Sequence, residues 1–190
     1  VTLNLVASNY YKDEPTNIYP AENYSIVNSL AIYGANASGK TKLFQAFNFM
    51  RGIVLHSADN KNNRLWQKDY DPFRLNVDTL EGTSSFEVVF LMDSIQYRYG
   101  FELDKDSVIA EWLFRKKTKE VKVVYRDAEG VEYNKIYINR KIADNLKDAG
   151  MIRNDALFIS ILSVWNDPLS SSITQWFGNS NVLSASMNNY

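Results

Sequence analysis

Cysteine is absent from the 190 residues, which excludes disulfide bonds, thiolate zinc sites and cysteine nucleophiles. An excess of one charge is also missing, since 21 basic and 22 acidic side chains leave a formal net charge of -1. No whole-chain field therefore attracts nucleic acid or anionic lipid. Apolar runs stay far below the ~20 residues that a membrane span needs. These absences predict a cytoplasmic protein that does not enter a membrane.

The composition that remains is that of a folded domain. Hydrophobic residues make up 45% of the chain and charged residues 23%, close to globular averages, so the composition is not that of a disordered chain. A chain of this length forms one domain, or one lobe of a larger one, and buries roughly 70% of its unfolded surface. Because the chain begins with Val instead of Met, an alternative interpretation is that it is a piece of a longer gene product.

Residues 1–56 carry two predicted strands followed by a helix. The opening VTLNLVAS alternates with period two, and SIVNSLAIY predicts a second strand that ends at a glycine loop. From Lys40 onward, apolar residues recur at the i, i+3, i+4, i+7 spacing of one helix face. They are Leu43, Ala46, Phe47, Met50 and Val54. This spacing predicts a helix of about four turns.

A long loop and an antiparallel meander are predicted next. Residues 57–85 are polar and contain Pro72 and Gly82, which predicts a loop with little regular structure. Residues 86–140 hold four β-rich runs, FEVVFLM, IQYRYGFEL, VIAEWLFRK and VKVVYR, and a fifth in KIYINRK. Short polar turns separate these runs, as in a meander of antiparallel strands.

Residues 141–190 are predicted to be helical. The segment KIADNLKDAG is expected to form a short helix that Gly150 closes. A second helix is predicted in DALFISILSVWND with Asp155 at its start, and a third in SSITQWFG with Gly178 at its end.

The segment GANASGKT carries the strongest chemical signal in the chain. It fits the pattern G-x-x-x-x-G-K-[ST] and lies between a predicted strand and a predicted helix, as a phosphate-binding loop requires. Gly34 and Gly39 allow positive φ angles and a close approach of backbone N–H groups to phosphate. Lys40 would reach the β- and γ-phosphates of ATP, and the Thr41 hydroxyl would ligate Mg²⁺. The alternative, a glycine-rich turn with an incidental lysine, is disfavoured by the flanking strand and helix.

The whole loop is predicted to contact nucleotide, whereas no residue is assigned to catalysis. Hydrolysis also needs an acid that holds the metal and a group that orients water. Asp93 ends an apolar run but is predicted to lie in a hairpin turn, and Asp167 follows a run with helical spacing. DAEG over residues 127–130 is predicted to be a turn instead of the D-x-x-G motif of GTPases. The loop residues are Gly34, Ala35, Asn36, Ala37, Ser38, Gly39, Lys40 and Thr41.

The chain resembles ABC-type ATPases of the SMC, RecF and OLD kind, and the bacterial and archaeal group called AAA family ATPases or ATP-binding proteins. The resemblance rests on IYGANASGKTKLFQAFNFMR, on YRYGFEL followed by EWLF, and on ALFISILSVWND. It implies an α/β fold, the N-terminal lobe of a P-loop NTPase with an antiparallel β subdomain inserted after the first helix. It also implies contacts of Asn36, Gly39, Lys40 and Thr41 with phosphate and Mg²⁺.

The same resemblance implies what this stretch of chain does not contain. The signature segment, the Walker B Asp-Glu pair and the switch histidine are expected beyond Tyr190, and His56 comes too early to be that switch. Among candidates for the Q-loop glutamine, Gln67 is favoured over Gln45 and Gln96. Members of the family act as head-to-tail dimers that sandwich ATP, so a homodimer is expected for the full-length protein, with DNA repair or phage defence as its setting.

Two other functions stay open on the residues themselves. Basic side chains crowd one predicted hairpin, either as a solvated edge that protects strands from unwanted pairing or as a contact to the DNA backbone. One alternative is therefore a nucleic-acid-binding module with ATP as its switch. The other is a self-contained P-loop kinase or GTPase in which Asp93 is the acid that holds the metal. A partner effector protein is a further expectation. The residues assigned to DNA are Arg115, Lys116, Lys117 and Lys119.

Overall fold

The computed structural model describes two compact units of the chain, Val1–Gln45 and Ala46–Tyr190. The residues whose structure is described are 2–8, 15–21, 24–36, 38–59 and 82–180. Most of the predicted loop over 57–85, with Gln67, therefore lies outside the described residues.

The first unit contains a small hairpin. A 3₁₀ turn over Pro15–Asn17 leads into β1 (Ile18–Ala21), which pairs antiparallel with β2 (Tyr24–Val27). The predicted strand over residues 1–8 is reduced to an isolated bridge between Val6 and Ile26. The strand predicted over residues 25–33 ends at Val27. Strands need neighbours for their ladder hydrogen bonds, and residues 29–33 join no sheet among the described residues.

Side-chain amides close the base of this hairpin. Asn17 Oδ1 accepts hydrogen bonds from the Ser29 backbone N–H and hydroxyl, both at 2.8 Å, and Asn17 Nδ2 donates to Ser29 O at 3.1 Å. Asn28 Nδ2 donates to Thr16 O at 3.1 Å. These bonds hold the chain that leaves β2 against the turn that precedes β1.

Helix α1 spans Lys40–His56, which confirms the helix predicted from the apolar spacing. It contributes residues 40–45 to the first unit and 46–56 to the second. Its buried side chains, Met50, Ile53 and Val54, all lie in the second unit.

The second unit is built on a five-stranded antiparallel meander in the order β3-β4-β5-β6-β7, which confirms the predicted architecture. The strands are β3 (Ser84–Met92), β4 (Ile95–Leu103), β5 (Val108–Lys116), β6 (Glu120–Asp127) and β7 (Gly130–Tyr133).

The fifth strand differs from the predicted one. It is GVEY, because the turn after Asp127 reverses the chain at once, with Gly130 at a φ of 130°. KIYINRK does not extend the sheet: Tyr137 and Ile138 donate backbone hydrogen bonds back to Asn134 O in a turn. Asn139 then caps the next helix by accepting from the N–H groups of Lys141 and Ile142. A short polar cap thus overrides the β-rich composition of this run.

Three helices follow the meander: α2 (Arg140–Asp148), α3 (Phe158–Val164) and α4 (Pro168–Asn179). Gly150, at a φ of 64°, closes α2 as predicted, since left-handed backbone favours glycine. Asp155 does not start α3, whose N-cap residue is Leu157. Gly178 does not stop α4, which continues to Asn179. A glycine ends a helix by adopting the left-handed conformation, and Gly178 is not among the positive-φ residues.

The core lies between the helices and one face of the meander. Phe90 and Tyr99 on the sheet pack with Phe177 on α4, and Phe101 packs against Tyr99. Trp176 stacks on Phe90 with ring centroids 4.2 Å apart. Alternate strand residues face this core because side chains alternate across a sheet. Together these elements form an α/β fold of the P-loop NTPase type with an antiparallel β subdomain.

Candidate phosphate-binding site

The loop between residues 34 and 40 is a tight turn that runs straight into α1. Ser38 N donates to Ala35 O at 3.3 Å, and Gly39 follows at a φ of 89°. Leu43 N then donates to Gly39 O at 3.2 Å as α1 begins. Only glycine adopts the Gly39 conformation without strain, so this glycine lets the loop become a helix within one residue.

Lys40 lies folded into the loop. Its Nζ donates to Gly34 O at 2.7 Å, to Ala35 O at 2.6 Å and to Ser38 Oγ at 3.3 Å. The ammonium group therefore occupies the concave side of its own loop, held by neutral oxygen acceptors. A phosphate oxygen is a stronger acceptor for this ammonium, because both partners of the bond are then charged, so it can compete for the same donor.

Gly34 lies close to the Ser38 side chain. A Cβ at this position would lie 2.8 Å from Ser38 Oγ, well inside van der Waals contact. Any larger residue would push Ser38 away from the Lys40 ammonium. The two glycines of the motif thus serve different needs, one for space and one for backbone conformation.

The start of α1 offers an open, positively polarised end. The first turn of α1 contains no acidic side chain, and unpaired N–H groups give a helix N-terminus a partial positive charge. Thr41 is exposed in that turn. Asn36 is also exposed, whereas Ala37 lies outside the described residues. The contacts of the loop residues with nucleotide remain a prediction.

The aspartates considered for catalysis serve turns and caps in the second unit. Asp93 and Ser94 both have positive φ angles, 52° and 59°, in the turn between β3 and β4. Asp167 is buried, caps α4 by accepting from Ser170 N, and also accepts from Asn139 N. Within the described ranges, no three His, Asp or Glu side chains are grouped so that they could hold a metal ion.

The basic residues around the β5–β6 hairpin differ in their surroundings. The Arg115 guanidinium stacks on the ring of Tyr137 at 4.9 Å, and Lys122 pairs with Glu132 at 2.5 Å. Arg126 is buried and donates to Ala156 O at 2.8 Å. Lys117 and Lys119 are exposed in the turn. Contact of this hairpin with DNA remains untested.

Sequence reasoning missed a buried polar cluster in the second unit. Glu111 accepts from Tyr99 OH at 2.9 Å and from the N–H groups of Phe158 and Ile159 at 2.6 and 3.0 Å. Burial raises the pKa of Glu111, against the opposing effects of these bonds and of Arg126. Burial likewise lowers the pKa of Arg126. The alternation of side chains along the strand VIAEWLFRK could have indicated this cluster, because it places Glu111 on the same face as Leu113.

No helix among the described residues is both long and apolar enough to cross a bilayer.

The geometry defines a P-loop nucleotide-binding module, and one family model agrees with it. The model described as "AAA domain, putative AbiEii toxin, Type IV TA system" matches residues 29–133, more than half of the chain. The chain belongs to this family of AAA-type P-loop ATPases. Among curated proteins and solved structures, none matches the chain at a significant level.

Proposed function

We propose that this chain is the Mg-ATP-binding lobe of an ABC/SMC-like ATPase. The observation that carries the proposal is the Lys40 ammonium, held by loop carbonyls at 2.7 and 2.6 Å where α1 begins. A lysine folded into a glycine loop at a helix N-terminus is the arrangement that recognises nucleotide phosphates. The wider resemblance of GANASGKT to the ABC/SMC loop selects this class among P-loop ATPases.

Each loop residue has a distinct part in binding. Lys40 would exchange its carbonyl partners for the β- and γ-phosphate oxygens. These oxygens carry the negative charge that the neutral loop oxygens do not. Gly34 and Gly39 keep the backbone close to the phosphates. The exposed Thr41 hydroxyl would hold Mg²⁺, an ion that prefers oxygen ligands and neutralises charge on the phosphates when bound.

Hydrolysis is assigned to groups outside the described residues. Asp93 and Asp167 act in a turn and in a helix cap of the second unit. We therefore expect the acid pair and the signature segment from the rest of a full-length protein, acting in a head-to-tail homodimer. Light scattering of the full-length protein tests this expectation. The proposal requires a shift from monomer to dimer on adding Mg-ATP, and an unchanged mass contradicts it.

The biological setting that we propose rests on the family description, which names a toxin of a Type IV TA system. This description supports a defence role, with an effector protein as partner, over DNA repair. Contact with DNA through Arg115, Lys116, Lys117 and Lys119 is a weaker proposal, because the Arg115 side chain already stacks on Tyr137. Salt-dependent DNA binding that is lost when the three lysines are changed to Gln would support it. Binding that survives the change would contradict it.

The experiment that tests nucleotide binding compares two lysines of α1. Lys40→Ala removes a donor that makes charge-assisted hydrogen bonds of about 1.5–3 kcal/mol each, so Mg-ATP affinity should fall by at least about 10-fold. Lys42→Ala, an exposed neighbour on the same helix, serves as the matched control and should bind within about 2-fold of the parent. Calorimetric titration measures both. Unchanged affinity in Lys40→Ala would refute the phosphate cradle.

A further inference from the structure

The C-terminal end of α1 and the N-terminal end of α3 satisfy each other's backbone groups. Ser160 Oγ donates to Val54 O at 2.7 Å, and an Arg153 guanidinium nitrogen donates to Ser57 O at 3.0 Å. In return, Leu157 N donates to Ser57 Oγ at 3.2 Å. We call these residues the α1–α3 joint. Helix ends leave backbone groups without intrahelical partners, and here each helix end supplies what the other lacks.

The meander is tied into the same joint. Glu111 on β5 accepts from the N–H groups of Phe158 and Ile159, so a sheet carboxylate completes the first turn of α3. Arg126 on β6 donates to Ala156 O at 2.8 Å and to Arg153 O at 2.9 Å. The segment that caps α1 is therefore fixed to two strands through buried polar side chains.

Burial gives this joint little freedom to rearrange. Val54, Leu157 and Phe158 are fully inaccessible to solvent, and Ser57 and Ser160 are only 4% and 3% exposed. A buried donor or acceptor that loses its partner costs about 1–3 kcal/mol. A displacement of the end of α1 would have to carry the 153–160 segment with it, because breaking the joint would leave several buried polar groups without partners at once.

We propose that the α1–α3 joint transmits the nucleotide state of the phosphate loop to the meander. The proposal rests on the proposed function, because α1 begins at Lys40 and Thr41 and ends at the joint. The 17 residues of α1 form one continuous helix, and we infer that nucleotide contact at its first turn affects its last turn. The joint converts that bias into a change in the strands that carry Glu111 and Arg126.

Ser160→Ala is the variant that weakens the joint most selectively. It removes the donor to Val54 O and leaves the bonds made by Arg153 and Glu111 in place. Ser163→Ala is the matched control, because the Ser163 hydroxyl lies on the same helix but bonds to Thr174 Oγ1 at 2.7 Å, away from α1. Thermal unfolding establishes that both variants fold.

Two measurements on the full chain test the proposal. In the parent, Mg-ATP should slow amide hydrogen exchange in peptides covering 153–160 and 108–127 as well as in the loop. Coupling is reciprocal, so Ser160→Ala should bind Mg-ATP about 5-fold more weakly and lose most of the effect on the meander peptides. Ser163→Ala should behave as the parent.

The outcomes separate this proposal from the function on which it rests. If the parent binds Mg-ATP in a Lys40-dependent manner but exchange at 153–160 and 108–127 does not change, the joint transmits nothing and the proposal is overturned. Equal Mg-ATP affinity in Ser160→Ala and Ser163→Ala would overturn it as well. If the parent binds no Mg-ATP, the proposed function itself fails, and this proposal fails with it.

Discussion

Each of the two units of the chain is stabilised by a different kind of interaction. Among the described residues of Val1–Gln45, no side chain is fully buried, and Tyr33, next to the loop, is 89% exposed. Backbone ladders and the Asn17 amide organise this unit. The second unit instead buries a large apolar cluster and a charged network. Segments with few buried contacts open at low free energy, and ligand-binding loops are drawn from such segments. The comparison therefore separates the unit that carries the predicted phosphate loop from the unit that carries the buried core.

The largest expected effect on this comparison comes from Glu111→Ala in the second unit. The change removes the acceptor for the Tyr99 hydroxyl and for two backbone N–H groups of α3. A buried donor left without its acceptor costs about 1–3 kcal/mol, and three donors are affected, so chemical denaturation should show a loss of about 3 kcal/mol or more.

Glu132→Ala is the control for this loss. Glu132 pairs with Lys122 on the surface and is 70% exposed, and exposed pairs contribute no more than about 1 kcal/mol. If Glu111→Ala were as stable as Glu132→Ala, the buried network would not be a source of stability in the second unit.

A smaller effect is expected from Gly100→Ala on β4. The added Cβ would lie 2.5 Å from Trp112 Cζ2 and 2.6 Å from Phe86 O, and overpacking of this kind costs about 1–3 kcal/mol. Gly52→Ala is the matched control, because nothing lies within 4 Å of a Cβ on that face of α1. It should stabilise the protein by about 0.5–1 kcal/mol, since alanine favours helix more than glycine does. Thermal unfolding that moved the same way in both variants would contradict the packing argument.

The smallest expected effect lies in the first unit. Asn17→Ala removes three hydrogen bonds to Ser29, each with a net contribution of about 0.5–1.5 kcal/mol at most, because the site is exposed. Amide exchange over 16–29 should become faster, while the denaturation midpoint of the second unit stays unchanged. Asn4→Ala is the control, since Asn4 Oδ1 accepts a local hydrogen bond from Val6 N two residues away. If Asn17→Ala lowered the denaturation midpoint of the second unit, the distinction between the units would be contradicted.

Local patterns predicted those parts of the fold that depend on local rules. The meander followed from alternating β-rich runs and short polar turns, and α1 followed from its apolar spacing. Predictions failed where a distant residue decides the outcome. The N-terminus of α3 is completed by Glu111, 47 residues away in sequence, and not by the nearby Asp155. The run KIYINRK has strand composition, yet the Asn139 cap and the turn at Asn134 place it outside the sheet.

The sequence by itself determined the chemistry of the loop. The spacing of Gly34, Gly39 and Lys40 is a local property, because a tight turn, a helix start and a lysine within reach of phosphate need no other part of the chain. Only the tertiary structure decided which charged residues are buried and joined. Glu111 and Arg126 both bond to the backbone of residues 153–159 because the meander and helices fold against one another. No spacing along the chain encodes a contact between groups so far apart in it. The cost of burying a charge without a partner makes that meeting specific.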